Sequence, residues 1–269
     1  MTENRPSCAG ASPSRALVPA PAPRAVVPHC LQEDDAIVTS LVRYAEADCI
    51  VHLLCRRLGS VHAFMPRGLR PSRRRSGSPL QAPAKAKVCM RLSRTHSLAR
   101  LVRADVVGST CLLSRSLRAF AFACYVTELT EALLPQDESA MPFFTVLSSA
   151  LTHIAQGDEK DCLLRAFELK LLHFCGELPN LQQVADMPGA PPVVYHPQRG
   201  QLLAQRLQGC LPFGQCASVA ASALVRSRLH ERPTVSKPVL RQLELVLASR
   251  LRQCMTKPLR STAFLRQVL

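Results

Sequence analysis

The segment CIVHLLCRRLGSVHAFM, Cys49 to Met65, sets the architecture of the first half of the chain. Its opening run Cys49–Cys55 and closing run Val61–Met65 are aliphatic, β-branched or aromatic, and Gly59-Ser60 between them reads as a turn, so the segment predicts a hairpin. Upstream, Ala36–Arg43 has the same β-like character. Downstream, Pro66 opens an arginine-rich connection, Arg67–Pro83, and two more strand candidates follow at Lys87–Ser93 and Leu98–Val107. Five short strands within about 75 residues suit a small barrel of the oligonucleotide-binding (OB) type, which removes exposed sheet edges by closing on itself.

Beyond Ser114 the apolar period lengthens from two toward 3.6: Leu117, Phe120, Ala121, Cys124, Leu129, Ala132 and Leu133 predict one helical stripe ending before Pro135. Further helices are expected at Pro142–Ala155, Asp161–Cys175, Ala217–Leu229, Pro238–Cys254 and Leu259–Leu269. Asp161 is a candidate cap, and Pro142, Pro238 and Pro258 suit first-turn positions, where a missing N–H costs little. Gly176–Pro212 is rich in Pro and Gly and predicts a loop or small subdomain. Residues 1–32 form a Pro/Ala-rich tail expected to be disordered. The expected fold class is therefore α+β, with an OB-type nucleic-acid-binding barrel over 33–112 and a mostly α-helical domain over 113–269 that carries the loop subdomain at about 176–212.

Charge narrows the function. The 269 residues carry 34 Lys and Arg against 19 Asp and Glu, a formal +15, and a pI near 9.8 predicts a polyanionic partner. The excess is uneven: residues 1–110 hold 17 basic and 7 acidic side chains, residues 111–269 hold 17 and 12. Met1–Cys30 has six prolines and no continuous apolar core, so no signal peptide is expected. No apolar run approaches the roughly 20 residues of a membrane span, and the expected location is the cytoplasm, at the nucleoid, with no membrane partner.

The sharpest candidate site is the stretch that carries Arg67, Arg70, Arg73, Arg74, Arg75, Lys85, Lys87, Arg91 and Arg94 without one acidic residue. Such a cluster can neutralise several phosphates and release their counterions. The competing reading is a solvated loop, and the position of the cluster between strands favours phosphate binding. Tyr44 and Phe64 are the aromatics of the barrel, and both rings are read as core filler rather than as platforms for bases.

Twelve cysteines are present, but no two stand as CxxC, and several lie among Leu, Val or Ala, where Cys acts as a small buried hydrophobe. No metal site and no cofactor is expected. His52, His62, His96, His153 and His173 are read as ordinary core or surface residues, and Asp34/Asp35, Asp137/Glu138 and Asp158/Glu159 as element-boundary carboxylates rather than a catalytic dyad. The chain has no GxxxxGK[ST], GxGxxG, GxSxG or HExxH motif, so no catalytic residue and no enzymatic activity are expected.

Taken in order, several short motifs resemble the RecO family of bacterial DNA-repair and recombination mediators. Ala36–Tyr44 followed by Glu46-Ala47-Asp48 resembles its first strand and turn, and Gly59-Ser60 its hairpin turn. Pro66-Arg67-Gly68-Leu69-Arg70-Pro71-Ser72 resembles its basic KGARRPKS segment, and Phe167-Glu168-Leu169-Lys170-Leu171-Leu172 its FE-L-LL helix. Leu178-Pro179-Asn180-Leu181 resembles its PDL turn, Arg199-Gly200 part of its GG turn, and Lys257-Pro258-Leu259-Arg260-Ser261 its RPLRS signature. The resemblance spans about residues 35–269. It implies binding of single- and double-stranded DNA without catalysis, annealing of complementary strands, and, with RecR, help to RecA in replacing single-stranded DNA-binding protein (SSB), with RecF in the same pathway. It also implies a contact between the basic helical domain and the acidic C-terminal tail of SSB, for which Arg118, Arg165 and Lys170 are candidates. Zinc-binding members carry four cysteines where this chain has Val184, Met187, Ala204 and Leu207, so a zinc-less subdomain packed by apolar side chains is expected. The second glycine of the GG turn is Gln201. A generic RNA-binding OB protein is the alternative that charge alone leaves open.

Overall fold

The computed structural model describes residues 31–44, 46, 48–66, 80–92, 98–108, 113, 116–135, 140–158, 160–178, 194–203 and 208–268. The tail before Leu31, the connection 67–79 with its five arginines, Arg94 and the four positions aligned with zinc ligands lie outside the described residues.

Five strands make a closed barrel in the order β1-β2-β3-β5-β4. They are β1 (Leu31–Arg43), β2 (Cys49–Cys55), β3 (Gly59–Met65), β4 (Ala84–Arg91) and β5 (Leu98–Val106). β1 begins five residues earlier than the sequence suggests, and this extension lets it serve both sides of the closure. Its first part pairs with β4, from Leu31↔Arg91 to Val38↔Ala84, and its second with β2, from Ala36↔Cys55 to Arg43↔Cys49. The register shifts between Val38 and Ser40, a bulge that bends and twists the strand so that one segment can turn the barrel's corner. Parallel pairing of β3 with β5, His62↔Leu98 to Phe64↔Arg100, closes the other side.

The barrel interior follows the period of two. Ala84, Ala86, Val88 and Met90 of β4 face inward and are buried, while Lys85, Lys87, Cys89 and Arg91 alternate outward. Cys49 and Cys55 are fully buried among Val51, Leu53, Ala63 and Met65, and burial, with Asp34 nearby, pushes the Cys55 thiol up to about 12. The Gly59-Ser60 turn expected from sequence lies in strand β3 instead. Arg56–Leu58 make the turn, and Gly59 follows at φ 75, the left-handed residue that ends a three-residue hairpin loop. Asp34 reaches this loop from β1: its carboxylate accepts from the amides of Arg57 at 2.9 Å and Leu58 at 3.0 Å.

The helical domain contains α1 (Leu117–Leu133), α2 (Met141–Ala155), α3 (Asp161–Phe174), α4 (Gln215–Arg226), α5 (Lys237–Cys254) and α6 (Arg260–Val268). Ser116 caps α1, accepting from the Ala119 amide at 3.1 Å. α1 packs against α2, α3 and α6, so the single stripe expected for it is not how it packs: Leu117 is 65% and Phe120 36% exposed, while Ala119, Phe122, Val126 and Leu129 are buried. Asp161 is the first helical residue of α3 rather than its cap, and Lys160 occupies the cap position. Pro258 precedes α6, whose N-terminus is instead capped from α1: the Glu128 carboxylate accepts from the amides of Arg260 at 3.0 Å and Ser261 at 2.8 Å. Within the Pro/Gly-rich segment lies a small sheet, β6 (Val194–His196), β7 (Gln201–Leu203) and β8 (Leu211–Pro212), in the order β7-β6-β8. Ile37 of β1 and Leu54 of β2 belong to the helical core, so the barrel is seated on the helices through one apolar seam.

Candidate nucleic-acid interface

The outer face of the barrel carries two rows of very different electrostatic character. In the first, register places Lys87 between Asp35 on β1 and Asp105 on β5. Arg103 pairs with Asp105 at 2.6 Å, Arg56 with Asp35 at 3.9 Å and Arg57 with Asp34 at 3.5 Å. A groove of about 600 Å³ gathers these residues with Glu33: four carboxylates meet four cations. Opposite charges across strands stabilise the sheet itself, which leaves no local excess to attract phosphate.

In the second row, Arg91 of β4 stands directly opposite Arg100 of β5, and both side chains are exposed. Like charges directly opposite destabilise a sheet. Among the described residues neither arginine forms an ion pair, so no described carboxylate offsets the repulsion. Arg100 also pairs with Phe64 of β3, and Phe64 with Ile50 of β2. Tyr44, 69% exposed, meets Phe64 edge to face with centroids 6.1 Å apart. Neither ring belongs to the barrel core, which corrects the core-filler reading: the inward positions flanking Phe64 are Ala63 and Met65, so the period of two turns Phe64 outward.

The sequence-derived cations divide accordingly. Arg91 lies in the basic row, and Lys87 in the balanced one. Lys85 is half-buried and donates to Thr152 Oγ1 of α2 at 2.5 Å, a tie between barrel and helices, and burial lowers its pKa. The three partner-contact candidates have structural tasks. Arg165 is buried and pairs with Glu168 at 3.1 Å, and Glu168 also accepts from the Tyr125 hydroxyl at 2.6 Å. Lys170 donates to the carbonyls of Val225 at 2.6 Å and Ser227 at 2.5 Å, satisfying the C-terminus of α4. Arg118 lies over the Phe122 ring, 5.5 Å from its centroid. Arg165 and Lys170 are drawn into the packing between helices, and Arg118 packs along its own helix.

Arg100 is a residue that sequence reasoning misses. The alternation Leu98-Ala99-Arg100-Leu101 places it outward, but only the parallel β3–β5 pairing shows that it adjoins Phe64. Histidines that look isolated in sequence also come together: the His52 and His62 rings stack with centroids 4.1 Å apart, and His52 Nδ1 lies 2.7 Å from the Glu131 carboxylate of α1. Burial, then the neighbouring His52, lowers the His62 pKa.

Comparison with known families gives this architecture its place. The family model for the N-terminal domain of recombination protein O matches residues 31–110, and that for the C-terminal domain matches residues 114–263. The chain belongs to the RecO family. Similar RecO proteins include the DNA repair protein RecO of Geobacter metallireducens, 28% identical over 87% of this chain and 96% of its own length. That of Myxococcus xanthus is 33% identical over 59% and 64%, and that of Pelotomaculum thermopropionicum 30% identical over 71% of each.

The motifs that resemble RecO have physical tasks here. Glu168 of the FE-L-LL helix is the buried partner of Tyr125 and Arg165, and Ser261 of the RPLRS segment meets Glu128. Gly200, at φ 64, closes the β6–β7 turn by donating its amide to the His196 carbonyl at 3.0 Å. Gln201 replaces the second glycine without harm, pairing with His196 as the first residue of β7. Beneath Gly200 lies Arg250 of α5, whose Nε donates to the Glu177 carbonyl at 2.9 Å. Among the described residues, no group of three His, Cys, Asp or Glu could hold a metal ion, and no helix is long and apolar enough to cross a membrane.

Proposed function

We propose that this chain is a recombination mediator of DNA repair: it binds single- and double-stranded DNA, anneals complementary strands and, with RecR, helps RecA replace SSB. Family membership supports the repair role. The observation that carries DNA binding is the opposed pair Arg91 and Arg100 on the outer face of a closed OB-type barrel, at the end of β4, the strand reached through the arginine-rich connection. A phosphate placed between the two guanidiniums removes a repulsion that no described carboxylate offsets. The protein contributes binding and positioning, not chemistry, and acts in the cytoplasm, at the nucleoid. SSB is met through its acidic C-terminal tail and RecF enters indirectly. The engagement of Arg165 and Lys170 within the helical domain moves the expected SSB contact to other basic residues of that domain.

The test is a salt series of binding to labelled single-stranded DNA, for wild type and for a variant with Arg70, Arg73, Arg74 and Arg75 changed to Ala. Log affinity falls linearly with log salt, and the variant's slope is shallower by roughly 0.7 for each phosphate that it no longer neutralises. Equal slopes remove the arginine connection from the interface. Absence of salt-dependent binding by the wild type overturns the mediator reading, and a strong preference for RNA over DNA in competition replaces it with an RNA-binding one.

A further inference from the structure

Beside the basic row stand the exposed Tyr44 and the half-buried Phe64, in contact with each other and outside the barrel core. We propose that Tyr44 and Phe64 form a stacking platform for unpaired bases, so that this end of the barrel selects single-stranded over duplex DNA, while Arg100 and Arg91 take the phosphates alongside. This inference rests on the DNA-binding reading above and gives that site its strand preference. Three observations carry it. Tyr44 is 69% exposed and presents an amphipathic ring at the surface. The rings meet edge to face at 85°, a contact that takes up one face of one ring and builds an aromatic surface larger than a single side chain. The cations that adjoin Phe64 in register, Arg100 and then Arg91, carry no ion pair among the described residues, and they lie one and two strand spacings, about 5 and 10 Å, from Phe64 on one surface.

An unstacked base can cover a ring while its phosphate meets a guanidinium. A duplex, with bases stacked inside, offers only its phosphates. The balanced row around Lys87 and Arg103 supplies neither element, so the strand runs along the row Phe64–Arg100–Arg91 and avoids the groove at Asp35 and Asp105.

Wild type, a Tyr44→Ala/Phe64→Leu variant, an Arg91→Ala/Arg100→Ala variant and a Lys87→Ala/Arg103→Ala variant are titrated with three probes of equal length: oligo(dT), an abasic single strand and a duplex. The ring variant loses about tenfold on oligo(dT), the order expected for one base–aromatic stack. It loses less than twofold on the abasic strand and the duplex, and its salt slope is unchanged. The arginine variant weakens on all three probes with a shallower slope, and the Lys87 variant matches wild type. Leucine at 64 keeps an apolar filler, so loss of folding does not mimic the result. A second readout is intrinsic: the chain has no Trp and three Tyr, of which Tyr125 and Tyr195 are buried, so quenching of surface tyrosine emission by oligo(dT), and not by the abasic strand, reports stacking on Tyr44. Equal losses on the base-bearing and abasic strands, or none on oligo(dT), overturn the platform while leaving salt-dependent DNA binding intact. Failure of wild type to bind any probe overturns the DNA-binding reading itself.

Discussion

Removing the carboxylate of Asp34 tests how the barrel is held. Its side chain is 2% exposed and accepts from three amides, Asp35 at 2.9 Å, Arg57 at 2.9 Å and Leu58 at 3.0 Å. Two of these belong to the β2–β3 turn, which in turn fixes the register that sets Phe64 opposite Ile50. Hydrogen bonds to a charged acceptor contribute about 1.5–3 kcal/mol each, and a buried amide left without one costs about 1–3 kcal/mol. Water reaches part of an exposed turn, so Asp34→Ala is expected to cost about 3 kcal/mol rather than the full sum. Asp34→Asn keeps the shape but turns one acceptor oxygen into an NH₂ group facing other donors, and is expected to cost about 2 kcal/mol. Against a total stability of roughly 5–15 kcal/mol, both effects are readable in urea unfolding followed by circular dichroism. Hydrogen exchange adds a local readout, with the Arg57 and Leu58 amides losing protection ahead of the rest of the barrel in the Asn variant. A stability within about 0.5 kcal/mol of wild type for both variants would refute this account, because surface substitutions fall in that range.

Gly200→Ala places a Cβ at φ 64 and 2.7 Å from the Arg250 guanidinium. It is expected to cost about 1–3 kcal/mol, seen as a lowered thermal midpoint that an Arg250→Ala background partly restores. Burial would raise the Glu128 carboxyl, but hydrogen bonds from the Ser261 hydroxyl and amide and the Arg260 amide outweigh it and hold the pKa below its ordinary 4.5. Folding lowers this pKa, so the stabilisation is complete above the unfolded value and is lost as pH falls through the folded one; Glu128→Gln is expected to cost about 1 kcal/mol at neutral pH and to narrow its deficit as pH falls through the lowered folded value, a convergence that stability measured against pH would show or deny. Arg165→Met leaves the Glu168 carboxylate buried without its cation, and such a change costs about 3–5 kcal/mol, whereas a surface partner-contact role predicts unchanged urea unfolding.

The strands were legible because a barrel wall with one buried face imposes a period of two, as in Ala84-Lys85-Ala86-Lys87-Val88. Helix positions were legible from Pro142 and Pro238, which sit in first turns. The packing of α1 was not, because a helix enclosed by α2, α3 and α6 buries residues around most of its circumference, and a stripe is the wrong template. Turn placement failed at Gly59 for a related reason: glycine marks where φ turns positive, and in a three-residue loop that is the residue after the turn rather than within it.

The site was harder, because a cation's role depends on what stands opposite it, and opposition is a tertiary fact. Lys85, Lys87 and Arg91 alternate along one strand and look equivalent in sequence. One reaches Thr152, one lies between two carboxylates and one faces Arg100. The net charge of +15 therefore overstates what the folded protein can offer a phosphate and says nothing of where. What favours the second row as the proposed interface is that, on the described barrel, two arginines stand opposite each other across strands there, next to Phe64. A fold selected for stability alone would answer Arg91 with a carboxylate, as it answers Lys87 with Asp35 and Asp105. Leaving the pair unanswered is sensible if the answering charge arrives with the ligand, and for that reason the second row, more than the overall basicity, supports nucleic-acid binding.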